Sequence, residues 1–114
     1  MSPAAELLVD ITFEAELIQW RGPAPFFFLV LPEEHVGELK YAARLASYGW
    51  GAVPVTASIG GTEFRTSLFP RDGGYLLPIK AAVRRENGIV PGAVVRTRLR
   101  VFARGGGSGD PADR

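Results

Sequence analysis

Two basic residues in the second half of the chain have the type and spacing to bind an anion. Lys80 and Arg84 lie four residues apart in a helix predicted over 80–87, so they share one helical face. Like charges repel at this spacing, and the macrodipole disfavours a cation in the first helical turn, where Lys80 would lie. An anion bound by the helix N-terminus and both side chains would remove these penalties. Alternatively, Glu86 or an N-terminal acid neutralises two solvated cations.

Aromatic residues could give this site apolar walls. Four aromatic residues are not accounted for by the alternation of buried and exposed positions along the predicted strands, namely Trp20, Trp50, Phe64 and Tyr75. One interpretation is a pocket that these rings line, with Arg65 and Lys80 as polar anchors for a small ligand. The alternative is that the rings close the ends of a barrel. The candidate ligand-binding residues are therefore Lys80, Arg84, Arg65, Trp50 and Tyr75.

A third basic cluster lies on the last predicted strand. Arg96, Arg98 and Arg100 alternate with apolar residues, so they form a stripe on one face. Such a stripe could bind the phosphates of a nucleic acid. It could also be a solvated face whose arginines pair across the ladder with Glu14 and Glu16. The formal net charge of the chain is only +1, which is low for a DNA-binding protein.

The composition argues against several kinds of catalytic site. The chain has one histidine and no cysteine, so Glu33, Glu34 and His35 lack the further ligands that a metal site needs. Acids at the start of a helix explain the two glutamates without a metal. Ser67 lacks the surroundings of a nucleophile elbow. We therefore predict no metal, no cofactor and no catalytic residue.

Length and patterning predict one domain of a protein without a membrane span. With 114 residues, 46% hydrophobic and 22% charged, the chain has ordinary globular composition. The longest apolar run, 25–32, is far shorter than the roughly 20 residues of a spanning helix. No signal peptide is evident, so we expect a cytoplasmic protein. The predicted divisions are a frayed N-terminus at 1–6, a barrel domain at 7–104 and a flexible glycine-rich tail at 105–114.

Hydrophobic periodicity predicts an all-β protein. Residues 8–18 alternate as in a half-buried strand, whereas 26–31 are apolar throughout and predict a strand covered on both sides. Further strands are expected at 53–59, 63–68, 75–77 and 94–102, and helices at 33–47 and 80–87. About six strands with two short helices indicate a small β-barrel, closed or split.

Several separated motifs within 8–103 form a recognisable series. They are Leu31-Pro32, Trp50-Gly51, Gly61-Thr62, Ser67-Leu68-Phe69-Pro70, Tyr75-Leu76-Leu77-Pro78, Lys80, Arg84, Gly88-Ile89 and Pro91-Gly92. This series resembles a bacterial family called domain of unknown function 1905. The resemblance implies a double-split β-barrel, and it brings no established activity. Many members have Asp after the Pro-Gly turn where this chain has Ala93, so no role is transferred to that position.

A second resemblance covers one segment. Leu77-Pro78, the basic helix, Gly88-Ile89 and Pro91-Gly92 are similar to the looped-hinge unit of AbrB-like and MazE-like proteins. Those proteins are swapped-hairpin dimers that bind DNA, so the resemblance implies a homodimer and a DNA partner. The apolar run 26–31 also fits a homodimer, because a strand between two copies would be covered on both faces.

Together these observations favour a non-catalytic binding module. Its ligand would be a small anionic or aromatic molecule, or its partner another protein, because no nucleophile, base or metal site is evident. The alternative function is an AbrB-like DNA-binding regulator, in which Arg96, Arg98 and Arg100 would contact phosphates.

Overall fold

The computed structural model describes residues 6–23, 26–46 and 51–103, and these contain seven β-strands and two α-helices. Trp50, the tail at 105–114 and residues 1–5 of the N-terminus lie outside the described residues. The strands are β1 (Leu7–Glu16), β2 (Ile18–Trp20), β3 (Phe26–Val30), β4 (Val53–Ile59), β5 (Thr62–Arg71), β6 (Gly74–Pro78) and β7 (Val94–Phe102). The helices are α1 (Val36–Ala46), preceded by a 3-10 turn at Glu33–His35, and α2 (Ala81–Asn87).

The strands form one antiparallel sheet in the order β1-β7-β4-β5-β6-β3-β2. The sheet has two halves, β1-β7-β4-β5 and β5-β6-β3-β2. β5 belongs to both half-sheets, because residues 62–68 pair with β4 and residues 69–71 pair with β6. The chain crosses between the halves again at Leu17, which alone separates β1, paired with β7, from β2, paired with β3. Two segments shared between half-sheets curl the sheet into a small barrel. The all-β barrel expected from the sequence is confirmed.

The break at Leu17 divides what alternation predicted as one strand. The Leu17 N–H donates to the Ala93 carbonyl at 2.9 Å, and the Leu17 carbonyl accepts from the Gly92 N–H at 2.9 Å. Because the turn before β7 takes both polar groups of Leu17, the ladder of β1 ends at Glu16 and β2 starts a new one. The described chain therefore has seven strands rather than about six. The predicted 33–47 helix is also shorter, since its first turn is 3-10 and α1 begins at Val36.

The core lies inside the curled sheet, and α1 packs against β1, β4 and β7. The fully buried leucines Leu29, Leu77 and Leu99 come from both half-sheets. Leu39 and Ala42 add the apolar stripe of α1. Burying a leucine side chain stabilises the fold by about 2 kcal/mol, so these inward faces hold the barrel together. Within the described ranges, neither helix has the length and apolar content that a membrane crossing demands.

The outer face of the half-sheet β5-β6-β3-β2 is apolar as well. Phe28 and Leu29 are neighbours that point to opposite faces of β3, and both are buried, as the apolar run predicted. Val30, however, is 45% exposed, so the expected cover on both sides fails at the end of this strand. Val30 lies opposite Leu76, and Leu76 lies opposite Phe69, so the apolar face continues across three strands.

Candidate functional site

A pocket lies between the start of β3, the middle of β5 and the N-terminal end of α2, with a volume of about 290 Å³. Three of the predicted ligand-binding residues line it: Arg65 from β5, Lys80 and Arg84. The aromatic residues that line it are Phe26 and Phe27 from β3 and Phe64 from β5, of which Phe64 is largely buried in the core. The structure thus brings together cations from two distant parts of the sequence beside apolar rings.

The turn between β4 and β5 fixes the C-terminal end of α2. The Asn87 side-chain amide donates to the Thr62 hydroxyl at 3.2 Å, and that hydroxyl donates to the Glu86 carboxylate at 3.0 Å. Gly60 lies under this contact with φ of 58°, and a Cβ there would collide with the Asn87 amide oxygen. A glycine is therefore required for the backbone conformation and for the close approach of the helix. These contacts set the position of α2 relative to β5.

The N-terminal end of α2 is tied to β3. The Ile79 N–H donates to the Phe27 carbonyl at 2.9 Å, and Arg84 Nε donates to the Ile79 carbonyl at 3.2 Å. The Arg84 guanidinium lies over the Phe27 ring, with its central carbon 3.6 Å from the ring centroid. Cation–π contact and hydrogen bond together hold this cation in one orientation. Arg84 therefore presents its remaining N–H groups from a fixed position.

Lys80 lies one residue before the helix rather than in its first turn. Its backbone is extended, with φ of −73° and ψ of 162°, and α2 begins at Ala81. The predicted boundary at Lys80 is therefore displaced by one residue, whereas Gly88 ends the helix in the left-handed conformation as expected. Because α2 has only seven residues, the electrostatic character of the pocket rests on its side chains rather than on the helix terminus.

The pocket has cations without counterions among the described residues. None of the described residues that line it is a carboxylate, and the ion pairs of the described chain leave out Arg65, Lys80 and Arg84. Glu86, one neutralising partner considered from the sequence, instead accepts a hydrogen bond from Thr62. Three unneutralised cations around one concavity create a positive potential that attracts anions.

The arginine stripe on β7 has the opposite arrangement. Arg98 donates to both carboxylate oxygens of Asp10, at 2.9 and 2.7 Å, and Arg100 contacts Glu63 at 3.0 Å. The hydrogen bond from Arg98 holds the pKa of Asp10 below its ordinary value of 3.8. The sequence had suggested Glu14 and Glu16 as partners, but the bonded acids are Asp10 and Glu63.

The pairing partners differ from those expected because a direct neighbour in the ladder is not always the bonded one. Arg98 lies opposite Thr12, and Arg96 lies opposite Glu14. A long arginine side chain reaches diagonally, so Arg98 bonds Asp10 two residues along β1. Two of the three arginines thus have bound carboxylates, which reduces the positive charge available for nucleic acid phosphates.

The structure does not bring the remaining predicted aromatic residues into this pocket. Tyr75 is only 6% exposed and faces the core, and burial raises the pKa of its phenol above 10.0. Trp20 lies on the outer face of the half-sheet, where the Arg71 guanidinium is 5.3 Å from its ring centroid. Trp50 lies outside the described residues. Of the four aromatic residues singled out from the sequence, Phe64 is the one among the residues that line the described pocket, although it too is 6% exposed and belongs to the core.

Sequence reasoning missed Phe26 and Phe27 as walls of the pocket. Both belong to the apolar run that predicted a covered strand, and nothing in that run marks which rings meet α2. The pairing of Phe28 with Pro78 places them there. The signal that was available is local: Pro78 and Ile79 lead directly into Lys80, so the strand beside β6 must border the start of α2.

The described residues hold no group of three or more acids and histidines that could bind a metal. His35 Nδ1 lies 3.0 Å from the Glu38 carboxylate, which accounts for the imidazole at the start of α1. The acids around His35 therefore form local contacts at a helix start.

The family of the chain is shown by a family model described as domain of unknown function (DUF1905), which matches residues 13–99. This range extends from β1 to β7 and includes all the residues that line the pocket, as well as Arg96 and Arg98 of the arginine stripe. Arg100 lies one residue beyond it. The chain belongs to this family. No curated protein matches it.

Proposed function

We propose that the protein is a non-catalytic binding module whose pocket takes a small ligand with an anionic group and a planar apolar body. The observation that carries this proposal is the set of three cations without a carboxylate beside aromatic walls. Arginine binds carboxylate or phosphate through two parallel N–H groups, and lysine adds a point charge. The apolar residues among those that line the pocket, including Phe26, Phe27 and Ile79, supply surface for the body of the ligand.

The size of the pocket limits the ligand. A volume of about 290 Å³ lies at the lower end of the range for ligand pockets, about 300 to 1,000 Å³. One or two fused rings with a single phosphate or carboxylate fit this space, whereas a dinucleotide does not. The ligand class is therefore a small aromatic monoanion or dianion.

The lining residues support binding rather than catalysis. Thr66 supplies a hydroxyl, but the described lining residues include no carboxylate or histidine to act on it as a base. Arg84 is held by Phe27 and by the Ile79 carbonyl, so it is prepared to bind without a large loss of side-chain entropy. A cation that is held in one orientation and has no general base beside it is suited to binding an anion rather than to catalysis.

Isothermal titration calorimetry with 1-naphthyl phosphate tests the proposal, with 1-naphthol and inorganic phosphate as partial probes. We expect the complete probe to bind more tightly than either part, because ring and anion contact different walls. Lys80→Glu should weaken binding by about 10-fold or more, since a charge-assisted hydrogen bond contributes about 1.5–3 kcal/mol.

The matched control is Arg96→Glu, which makes the same change from cation to acid on the β7 stripe. It should change the affinity by no more than about twofold, because exposed charges separated by more than a Debye length are largely screened. Equal losses in both variants would mean that the probe responds to overall charge, and the pocket would then be rejected as the site.

A further inference from the structure

The outer face of the half-sheet β5-β6-β3-β2 forms a second concave surface. Its floor is apolar, since Ile18 lies opposite Phe28 and Val30 lies opposite Leu76. Phe28 and Leu76 are buried by neighbours on this face although they lie outside the core cluster. The groove has a volume of about 930 Å³ and is bordered at one end by the start of α1. It is therefore much larger than the anion pocket and differs from it in chemistry.

Two large aromatic side chains are exposed on this outer face, one from each outer strand of the half-sheet. Trp20 on β2 is 48% exposed, and Phe69 on β5 is 46% exposed. The Trp20 indole lies close over Gly22, where a Cβ would collide with it, and beneath the Arg71 guanidinium. An exposed ring that is already held in one orientation loses little entropy when a partner covers it.

We propose that this outer face is the interface of a homodimer, in which two copies pack face to face about a two-fold axis. The strand order places β2 and β5 at opposite ends of the half-sheet, with β3 and β6 between them. A two-fold axis through the middle strands brings the exposed apolar side chains of one copy against those of the other. The surface is thus complementary to itself, as an isologous interface requires.

The exposed apolar area agrees with a dimer. Trp20, Phe69, Val30 and Ile18 together expose on the order of 400 Å² of apolar surface. A standard interface buries about 800 Å² on each partner, and about 57% of that area is apolar. The outer face therefore offers nearly all of the apolar surface that a stable dimer of standard size uses.

The charges at the rim favour a second copy over a strongly charged partner. Lys40 and Arg71 are balanced there by Glu33 and Asp72, so the rim of the groove has no net charge. Two identical rims can approach each other without an excess of like charge. A partner with a high net positive or negative charge gains no net electrostatic attraction to this rim. Balanced rim charge and a self-complementary apolar floor together identify a copy of this chain as the occupant.

Sedimentation velocity and light scattering on the full chain test the proposal. We expect a mass of about twice the 12.3 kDa of one chain. Phe69→Glu should give monomers, because each interface would bury two uncompensated charges. The matched control is Val94→Glu, which puts the same charge on a side chain that is more exposed and lies on β7, away from the groove. It should remain dimeric.

A second variant and an optical readout keep the test decisive. Val30→Lys should also give monomers, and it replaces Phe69→Glu if circular dichroism shows that the latter has not folded. In a Trp50→Phe background, Trp20 is the single tryptophan, and its emission should shift to the blue as the dimer forms. A concentration-independent mass near 12.3 kDa, or a dimer that persists in both variants, would overturn the proposal.

Discussion

The two groups of cations on this barrel differ in what faces them. On β7, Arg98 bonds Asp10 and Arg100 bonds Glu63, at 2.7 and 3.0 Å. The pocket is lined by three cations and by aromatic residues, and none of its described lining residues is a carboxylate. Both groups come from the basic second half of the chain, so sequence position alone does not distinguish them.

The difference lies in the neighbours that the fold supplies. β7 pairs with β1 and β4, and the acids that bond its arginines come from β1 and β5. The pocket also borders β5, but at Phe64, Arg65 and Thr66 rather than at Glu63. Its other walls are β3, whose residues are all apolar, and the N-terminal end of α2. A paired surface cation contributes little beyond its local bond, whereas unpaired cations in a concavity keep their potential. Binding activity is therefore expected where counterions are missing.

The largest expected effect comes from Arg84→Ala. This change removes a cation that is already oriented by Phe27 and the Ile79 carbonyl, so the affinity for 1-naphthyl phosphate should fall by roughly 100-fold. Calorimetry measures the loss. Arg98→Ala, the same change at a paired arginine, should leave the affinity within about twofold. An equal loss at Arg98 would break the distinction between the two groups.

A smaller effect should follow when the pocket is given the counterion that β7 has. Thr66→Asp places an acid among the pocket cations and should lower the affinity for 1-naphthyl phosphate by about 10-fold, because it neutralises the site and repels the probe. Thr66→Asn is the matched control, with the same size and no charge. If both variants bind 1-naphthyl phosphate equally well, the absence of a carboxylate among the described lining residues does not determine the affinity of the pocket for anions.

The inner face of β7 provides a prediction about stability. Thr97 is fully buried, and its hydroxyl has no hydrogen-bond partner among the described residues. Thr97→Val keeps the shape and removes the unsatisfied group, so the free energy of unfolding should rise by about 1 kcal/mol. Urea denaturation measures this change. A decrease instead would show that the hydroxyl makes a bond that the valine cannot replace.

The smallest expected effect is the acid sensitivity of the paired stripe. Arg98 lowers the pKa of Asp10 below 3.8, so the ionised carboxylate is favoured in the folded state. Its contribution to stability is complete above pH 3.8 and is lost as the pH falls through the lowered folded value. Thermal unfolding across this range should be less pH-dependent in Asp10→Asn. An unchanged slope would mean that the pair contributes nothing to stability.

The sequence predicted the fold more completely than the site. Alternation over 94–102 and the apolar run at 26–31 located β7 and β3, because these periods reflect burial directly. It did not separate β2 from β1, since the break depends on hydrogen bonds between Leu17 and a turn far away in the sequence. Local sequence patterns predict where strands and helices lie. The division of the strands between the two half-sheets depends on contacts between residues far apart in the sequence.

The same limit applies to the pocket. The sequence named Lys80 and Arg84 by their spacing and Arg65 as a further polar anchor, and all three line the described pocket. To predict that β3 lines the pocket, one must know the register between β3 and β6. To predict that Asp10 neutralises Arg98, one must know that the two side chains meet diagonally across the ladder. Residue types thus predicted which side chains could bind an anion, but only the sheet shows which of them lack a counterion.

Amide chemical shifts of labelled protein, followed during a titration with 1-naphthyl phosphate, show at each residue whether the probe binds beside the unpaired cations. We expect the largest changes at Arg65, Lys80 and Arg84 and in the neighbouring residues of β3, with little change along β7. Saturation at these residues should give the same dissociation constant as calorimetry. Changes that are largest at Arg96, Arg98 and Arg100, or absent throughout, would contradict the claim that the unpaired cations form the binding site.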